Sequence, residues 1–292
     1  MSILVETLVF GPIKSRRLGK SLGINLMPEI GKICSFDCIY CECGWNPEDK
    51  HNSGIPQKDI FEQTLEKRLQ ELKGTADEPD SITFSGNGEP TLHPDFVEII
   101  NITIKLRDLY IPNAKISVLT NGTMLHKKEI FDAISKVDNN IIKIDGGTYE
   151  TIKSINKPNV NFDLEKYINI LQEFNGNLII QTCFLRGEHN GVKIDNTTED
   201  EINLWIEHIK KINPRKTMIY AIDRETPEKN LEKISQSELE KIEEVVVDGY
   251  KKIEDTFVDG YKKIEDKFID TFLKKDSETI EEAKERVKKE QE

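Results

Sequence analysis

Residues 31–46, "GKICSFDCIYCECGWN", place Cys34, Cys38, Cys41 and Cys43 in one short loop, and only Cys183 lies elsewhere in the 292-residue chain. The loop follows the strand-like run "SLGINLMP" (21–28), so its reading decides what kind of sheet the chain builds and where its chemistry sits. Three uses of the thiols compete: disulfides, a structural zinc, or a metal cluster that takes three of them and leaves one coordination position open. The start of the chain shows no charged segment leading into an apolar one, and no apolar run approaches the eighteen or so residues of a membrane span. A cytoplasmic protein is therefore expected, without membrane association. Thiols stay reduced in that compartment, and an odd number of cysteines crowded into one loop does not staple a large domain. Metal binding is the better account.

Outward from the loop, strand-like runs recur at "SITFSG" (81–86), "KISVLTNG" (115–122), "IIKIDGG" (141–147), "LIIQTCFLRG" (178–187) and "TMIYAID" (217–223). Helical patterns separate them. In "KDIFEQTLEKRLQELKG" (58–74), Ile60, Phe61, Leu65, Leu69 and Leu72 recur at helical spacing and Gly74 supplies a stop. The stretches 94–110, 129–137, 164–174 and 199–212 repeat the theme. Strands alternating with helices give a parallel sheet. Six units are too few for a closed eight-fold barrel and suit an open, partial (β/α)6 barrel, whose ligands bind beyond the carboxyl ends of the strands. The cysteine loop, "GNGEPT", "TNGT", "DGGT" and "RGEHNG" all follow strands and are expected on that rim.

The cysteine spacing separates the metal readings. Structural zinc usually draws ligand pairs from separated loops, whereas C-x3-C-x2-C comes from one, with Cys43 two residues from Cys41 as the remaining candidate for a fourth ligand. A two-cluster ferredoxin run, C-x2-C-x2-C-x3-C-P, is absent. Three thiolates from one loop suit a 4Fe-4S cluster with one iron lacking a protein ligand, and zinc is the remaining alternative. In "SGNGEPT", Gly86 and Gly88 let the backbone approach a ligand closely, and Glu89 can oppose an ammonium. The five histidines show no H-x3-H pair, and Cys43 and Cys183 read as small packing side chains.

"CSFDCIYC" resembles the C-x3-C-x-aromatic-C signature of the radical S-adenosylmethionine (radical SAM) superfamily. "FGPIKSRRLGKSLGINLMP", "CSFDCIYCECG", "ITFSGNGEPTLHPDF" and "VLTNGTML" are similar to the branch related to wyosine-type tRNA-modifying enzymes, over about residues 8–240. The resemblance implies a partial barrel, a 4Fe-4S cluster on Cys34, Cys38 and Cys41, and SAM on the fourth iron through its amino and carboxylate groups. Reductive cleavage would then give methionine and a 5′-deoxyadenosyl radical for hydrogen abstraction, with flavodoxin or ferredoxin as reductant. By the same resemblance Gly86, Asn87, Gly88, Glu89 and Pro90 hold the SAM amino group and Tyr40 lies along the adenine. Asn121 and Asp145 meet the SAM carboxylate or ribose.

Substrate class is a separate question. The formal net charge is −12, and the part before residue 245 is itself at −9, with 30 Lys+Arg against 39 Asp+Glu. That sign weighs against affinity built mainly on nucleic-acid phosphates, although Ser15-Arg16-Arg17 and Lys20 form a basic cluster. RNA modification is slightly favoured. A peptide- or protein-modifying enzyme or glycyl-radical activase is the alternative, and an iron–sulfur electron carrier the remotest. Residues 245–292 form a separate segment in which "VVDGYKKIED" (246–255) recurs as "VDGYKKIED" (258–266). The stripe of Tyr250, Ile253, Phe257, Tyr261, Ile264 and Phe268 is expected on an amphipathic helical tail that docks a partner or a second copy. The barrel is accordingly expected over 1–244.

Overall fold

The computed structural model describes residues 3–15, 17–47 and 54–246. The chain divides into two compact units, Met1–Leu239 and Glu240–Glu292. Of the second, only the helical residues 240–246 are described, so the expected tail lies outside the described residues from 247 onward.

In the first unit the helices and strands alternate as the periodicity expects. Six strands run parallel: β2 (Gly19–Ile24), β3 (Ser81–Phe84), β4 (Lys115–Thr120), β5 (Asn139–Lys143), β6 (Ile179–His189) and β8 (Lys216–Ala221). Helices α1 (Lys58–Leu72), α2 (Phe96–Tyr110), α3 (Lys128–Ser135), α5 (Leu164–Gln172) and α6 (Glu199–Ile212) lie between them. The sheet curls. A cavity of about 190 Å3 is lined by Gly23, Thr83, Leu119, Ile141, Gln181 and Met218, one residue from each parallel strand, which only a sheet wrapped around its own face can achieve. Strands β2 and β8, the first and last of the six, do not pair, so the barrel is partial.

The strand faces divide by chemistry. In β3, Ile82 and Phe84 are fully buried, and Phe84 meets Phe61 of α1 and Phe96 of α2 at ring separations of 6.4 and 6.3 Å. Burying such a ring stabilises the fold by about 1.5–3 kcal/mol. The alternate residues Ser81 and Thr83 hydrogen-bond each other at 3.0 Å and reach Ser117 (2.8 Å) and Ser21 (2.7 Å) on neighbouring strands. Buried hydroxyls thus partner one another. Helix α6 shows how the outer layer is fixed: Thr198 caps its first turn, acidic residues follow at 199–201, Lys210 and Lys211 close it, and Asn213 turns left-handed at φ 50°.

Three elements depart from the sequence expectation. Strand β1 (Val9–Ser15), not among the runs read from the sequence, pairs antiparallel with β2, and its Pro12 is accommodated because an edge position tolerates a missing N–H. Helix α4 (Tyr149–Asn156) is not among the helical stretches read from the sequence; it is two turns long, with Ile152 and Ile155 as its buried apolar contacts and a Thr148 cap. "RGEHNG" is not a rim loop either. Strand β6 runs on to His189, and Asn190-Gly191, both at positive φ, turns it into β7 (Val192–Asp195), as an Asn-Gly hairpin does. Strand β9 (Leu231–Lys233) pairs antiparallel with the same overhang.

Candidate metal centre and adjoining cavity

The cysteine loop is built before any ligand is considered. Lys32 is almost fully buried, and its Nζ donates to Asp37 Oδ1 (2.9 Å) and to the Gly44 carbonyl (2.7 Å), which ties the two ends of the loop. The Asn46 N–H donates to the same Asp37 oxygen at 2.9 Å, while Asn46 Oδ1 accepts from the Cys34 N–H at 3.0 Å. Two other segments clamp the loop from outside. Ile33 pairs with Gly88 as an isolated bridge, donating to the Asn87 carbonyl and accepting from the Glu89 N–H, each at 3.0 Å. Gly88 is required there: it sits at φ 142°, and a Cβ would meet the Ile33 carbonyl oxygen at 1.8 Å. On the other side the end of α4 holds Asp37 and Ile39 through the carbonyls of Asn156 and Ile155, and Asn159 donates to the Cys34 carbonyl.

Cys34, Cys38 and Cys41 all line one cavity of about 230 Å3, together with Gly86, Glu89 and Asn121. Residues from the loops after the first three parallel strands therefore converge, as the rim argument expects. The sulfurs are met by N–H donors: Asn121 Nδ2 lies 3.5 Å from Cys34 Sγ, and Asn156 Nδ2 lies 3.3 Å from Cys38 Sγ. Lys32 and Lys143 add positive charge to the same wall. Burial raises the Cys34 thiol and pushes that of Cys38 up to about 12, whereas the hydrogen bond from Cys43 holds Cys41 down at about 6. Cys43 also lies 3.4 Å from the Gly86 carbonyl and is raised by the Cys41 contact. Among the described residues no three His, Cys, Asp or Glu side chains gather tightly enough for a single metal ion. The donor set is instead three thiols distributed about a cavity, with N–H groups and cations toward the sulfurs. That chemistry fits an iron–sulfur cluster.

The remaining expected residues divide. Tyr40, Gly86, Gly88, Glu89 and Asn121 line the cavity; Asn87, Pro90 and Asp145 do not. Glu89, 2 % exposed, already accepts four hydrogen bonds. Its Oε1 takes the Thr91 N–H (3.2 Å), the Thr91 hydroxyl (2.6 Å) and the Thr120 hydroxyl (2.6 Å), and its Oε2 takes the Asn121 N–H (2.7 Å). Burial raises its pKa against these bonds. Oε2, with one donor, keeps a lone pair for an ammonium. Pro90 opens the short 3-10 turn Pro90–Leu92 that Glu89 caps, a backbone role. The Asn87 side chain faces away from the cavity lining: it bonds both N–H and C=O of Val5 (2.8 and 2.9 Å) and the Pro28 carbonyl (2.8 Å).

Asp145 lies beneath the cavity and not in its lining. It is fully buried, and its carboxylate accepts from Tyr40 Oη, Asn156 Nδ2 (2.7 Å) and the Cys183 N–H (2.8 Å), with Lys143 Nζ at 3.4 Å. Its oxygens hold the site together from below the cavity surface. The Tyr40 hydroxyl in turn accepts from Lys143 Nζ. Cys183, also fully buried, packs with Cys38 and Tyr40 in one apolar cluster. Sequence reasoning missed Lys32, Ser35, Asn156 and Asn159. Asn156 is the most informative: it is 1 % exposed, bonds both Cys38 and Asp145, and its Oδ1 has no partner among the described residues.

Comparison with known proteins places this arrangement. A sequence model of the family described as "Radical SAM superfamily" matches residues 29–191. The chain is 36 % identical over 225 residues to the UPF0026 protein slr1464 of Synechocystis, covering 75 % of this chain and 77 % of that protein. It is 31 % identical over 238 residues to a protein of Brachyspira hyodysenteriae named GTPase Obg, covering 80 % of this chain but only 32 % of that one. The crystal structure of Streptococcus suis SuiB bound to S-adenosylmethionine shares the fold at a TM-score of 0.57 and 15 % identity, over 80 % of this chain and 48 % of that chain. The chain thus spans about a third of the Brachyspira protein and about half of SuiB.

Proposed function

Because this chain belongs to the radical SAM superfamily, and within it to the UPF0026 family, we propose that it holds a 4Fe-4S cluster on Cys34, Cys38 and Cys41 and uses SAM to abstract hydrogen from a substrate. The observation that carries the reading is the convergence of those three thiols with Gly86, Gly88, Glu89 and Asn121 on one cavity. Bound there, the cluster and SAM supply reductive cleavage of a carbon–sulfur bond and a radical able to take a hydrogen atom.

The chain's own residues do the rest. Gly88 admits the Ile33 strap, which fixes Cys34 against the second strand's loop. Asn121 and Asn156 turn N–H groups toward two sulfurs, which favours the more negative, reduced state of a thiolate-ligated centre. Glu89 orients Asn121 through its backbone and keeps one lone pair for an ammonium. Lys143 holds the Tyr40 hydroxyl, so Tyr40 presents a fixed edge to the cavity.

RNA modification is the preferred substrate reading, supported by the resemblance of "FGPIKSRRLGKSLGINLMP" and "VLTNGTML" to the wyosine-related branch. The test is anaerobic: reconstituted protein given dithionite and SAM should release 5′-deoxyadenosine and methionine, and the Cys38→Ala protein should release neither. Equal release by both would sink the reading.

A further inference from the structure

Strands β2 and β8 leave the barrel open on one side, and the turn between β1 and β2 reaches across that gap. Leu18 packs with Leu119 on the cluster of Ile141, Ile179 and Met218 inside the barrel. Its neighbour Arg17 places its guanidinium over the ring of Tyr220 on β8, 4.9 Å from the centroid. This bridge lines a cleft of about 920 Å3 whose wall also includes Tyr40 and the cluster ligand Cys41. Of the basic cluster seen in the sequence, Arg17 thus faces the space through which a substrate would reach the candidate centre.

The cations of that wall are not equivalent. Arg224 pairs with Glu42 and Lys233 with Asp223, each at 2.7 Å. Arg17 is exposed and its guanidinium has no carboxylate partner among the described residues; its backbone N–H goes to Ser15 Oγ. Held over an aromatic ring, it keeps a planar fork of N–H donors, the geometry that matches phosphate in bidentate fashion. On the same hairpin Lys14 and Lys20 stand directly opposite each other in the β1–β2 register. Lys20 is already engaged, its Nζ donating to the Ala76 carbonyl (2.8 Å) and its N–H to the Asp80 carboxylate (2.7 Å), and of the hairpin's cations Arg17 alone among the described residues lines the cleft. An exposed guanidinium without a carboxylate partner among the described residues, in the wall of a long cleft, suits a polymer with a phosphate at every unit better than a peptide with one terminal carboxylate.

We propose that Arg17, seated on Tyr220, binds a backbone phosphate of an RNA substrate and that the cleft between the hairpin and β8 is its binding site. The proposal deepens the reading above and rests on the Cys41 end of the cleft being the reaction centre.

The test uses the full-length reconstituted protein and a short fluorescein-labelled single-stranded RNA of mixed sequence, followed by fluorescence anisotropy across a salt series. A glutamate-rich peptide is titrated in parallel. Wild-type protein should bind the RNA with an affinity that falls with salt. Arg17→Ala should weaken it by about tenfold or more and lower the logarithmic salt slope by about one, alike for different RNA sequences. Arg17→Lys, which keeps the charge and loses the fork, should recover part of the loss and reads the contact even where the alanine variant folds poorly. Lys105→Ala, on the outer helix α2, should change neither quantity. Unaltered affinity and slope in Arg17→Ala, or binding of the peptide and not the RNA, would overturn the proposal. The two readings fail separately: RNA binding through Arg17 without release of 5′-deoxyadenosine by the wild type counts against the radical chemistry alone, and release without Arg17-dependent binding counts against this site alone.

Discussion

Replacing Glu89 by Gln changes one atom in the most densely bonded carboxylate of the site. The amide oxygen can keep the three donors on Oε1, but the amide nitrogen then faces the Asn121 N–H that Oε2 accepts at 2.7 Å. A charge-assisted bond worth about 1.5–3 kcal/mol is lost, and a buried donor left without an acceptor adds about 1–3 kcal/mol. The expected loss is about 2.5–6 kcal/mol, and for a domain of this size that lowers the melting temperature by roughly 5 to 20 °C. The damage should spread. Asn121 is the residue that reaches Cys34 Sγ at 3.5 Å and Ser35 Oγ at 2.8 Å, so iron content should fall along with SAM binding. Sequence alone leads to the opposite expectation, a variant that loses SAM and keeps its iron. Thermal melts of the apo-protein, iron per chain and SAM binding measured together decide it, with Thr120→Val as a milder comparison that should cost about 1 kcal/mol. A Glu89→Gln protein with wild-type melting and full iron that fails to bind SAM would refute the reasoning, because the carboxylate would then act on the ligand alone.

Asp138, partly buried yet accepting from the Ile116 N–H (2.9 Å) and Arg107 Nη1 (3.0 Å), has its pKa lowered by those bonds and by Lys115. A depressed carboxylate stabilises above its ordinary pKa and loses that contribution as pH falls through the folded value. Asp138→Asn should therefore be less stable than wild type by about 1.5–3 kcal/mol at neutral pH, with the gap in urea midpoints narrowing below the ordinary aspartate pKa of 3.8; a gap that stays constant with pH would contradict the assignment. For the tail, truncation after Glu244 is expected to preserve iron content and SAM cleavage while changing the solution mass or abolishing capture of a partner. Loss of the fold or of the cluster on truncation would place residues 245–292 in the catalytic core.

What the sequence made legible was local. The six parallel strands could be read because each carries an apolar run bounded by turn residues, and the three thiols of the cavity because their spacing lies within a single loop. Elements with short or mixed signals escaped: α4 has eight residues, and β1 contains a Gly-Pro step. The candidate site was legible in its first layer and opaque in its second. Asn156 meets Cys38 across 118 residues of chain and Tyr40 meets Asp145 across 105, contacts that no periodicity encodes. Asp145 illustrates the cost. A polar residue at the end of a strand reads as a ligand contact, and only the fold reveals that Tyr40, Asn156 and Cys183 already occupy its oxygens. Arg17 was visible as part of a basic cluster, but its placement over Tyr220 depends on the β1–β2 turn meeting β8, about two hundred residues on, which no local pattern encodes.

The central claim is that three thiols of one loop, and not four, hold an iron–sulfur cluster. Metal analysis of anaerobically reconstituted protein tests it most directly, across the wild type and the Cys34→Ala, Cys38→Ala, Cys41→Ala and Cys43→Ala variants. The account predicts about four irons per chain in the wild type and in Cys43→Ala, whose thiol contacts Cys41 and the Gly86 carbonyl, and loss of the cluster in each of the other three. A single tetrahedral zinc held by all four thiols, lost equally from Cys43→Ala, would contradict it.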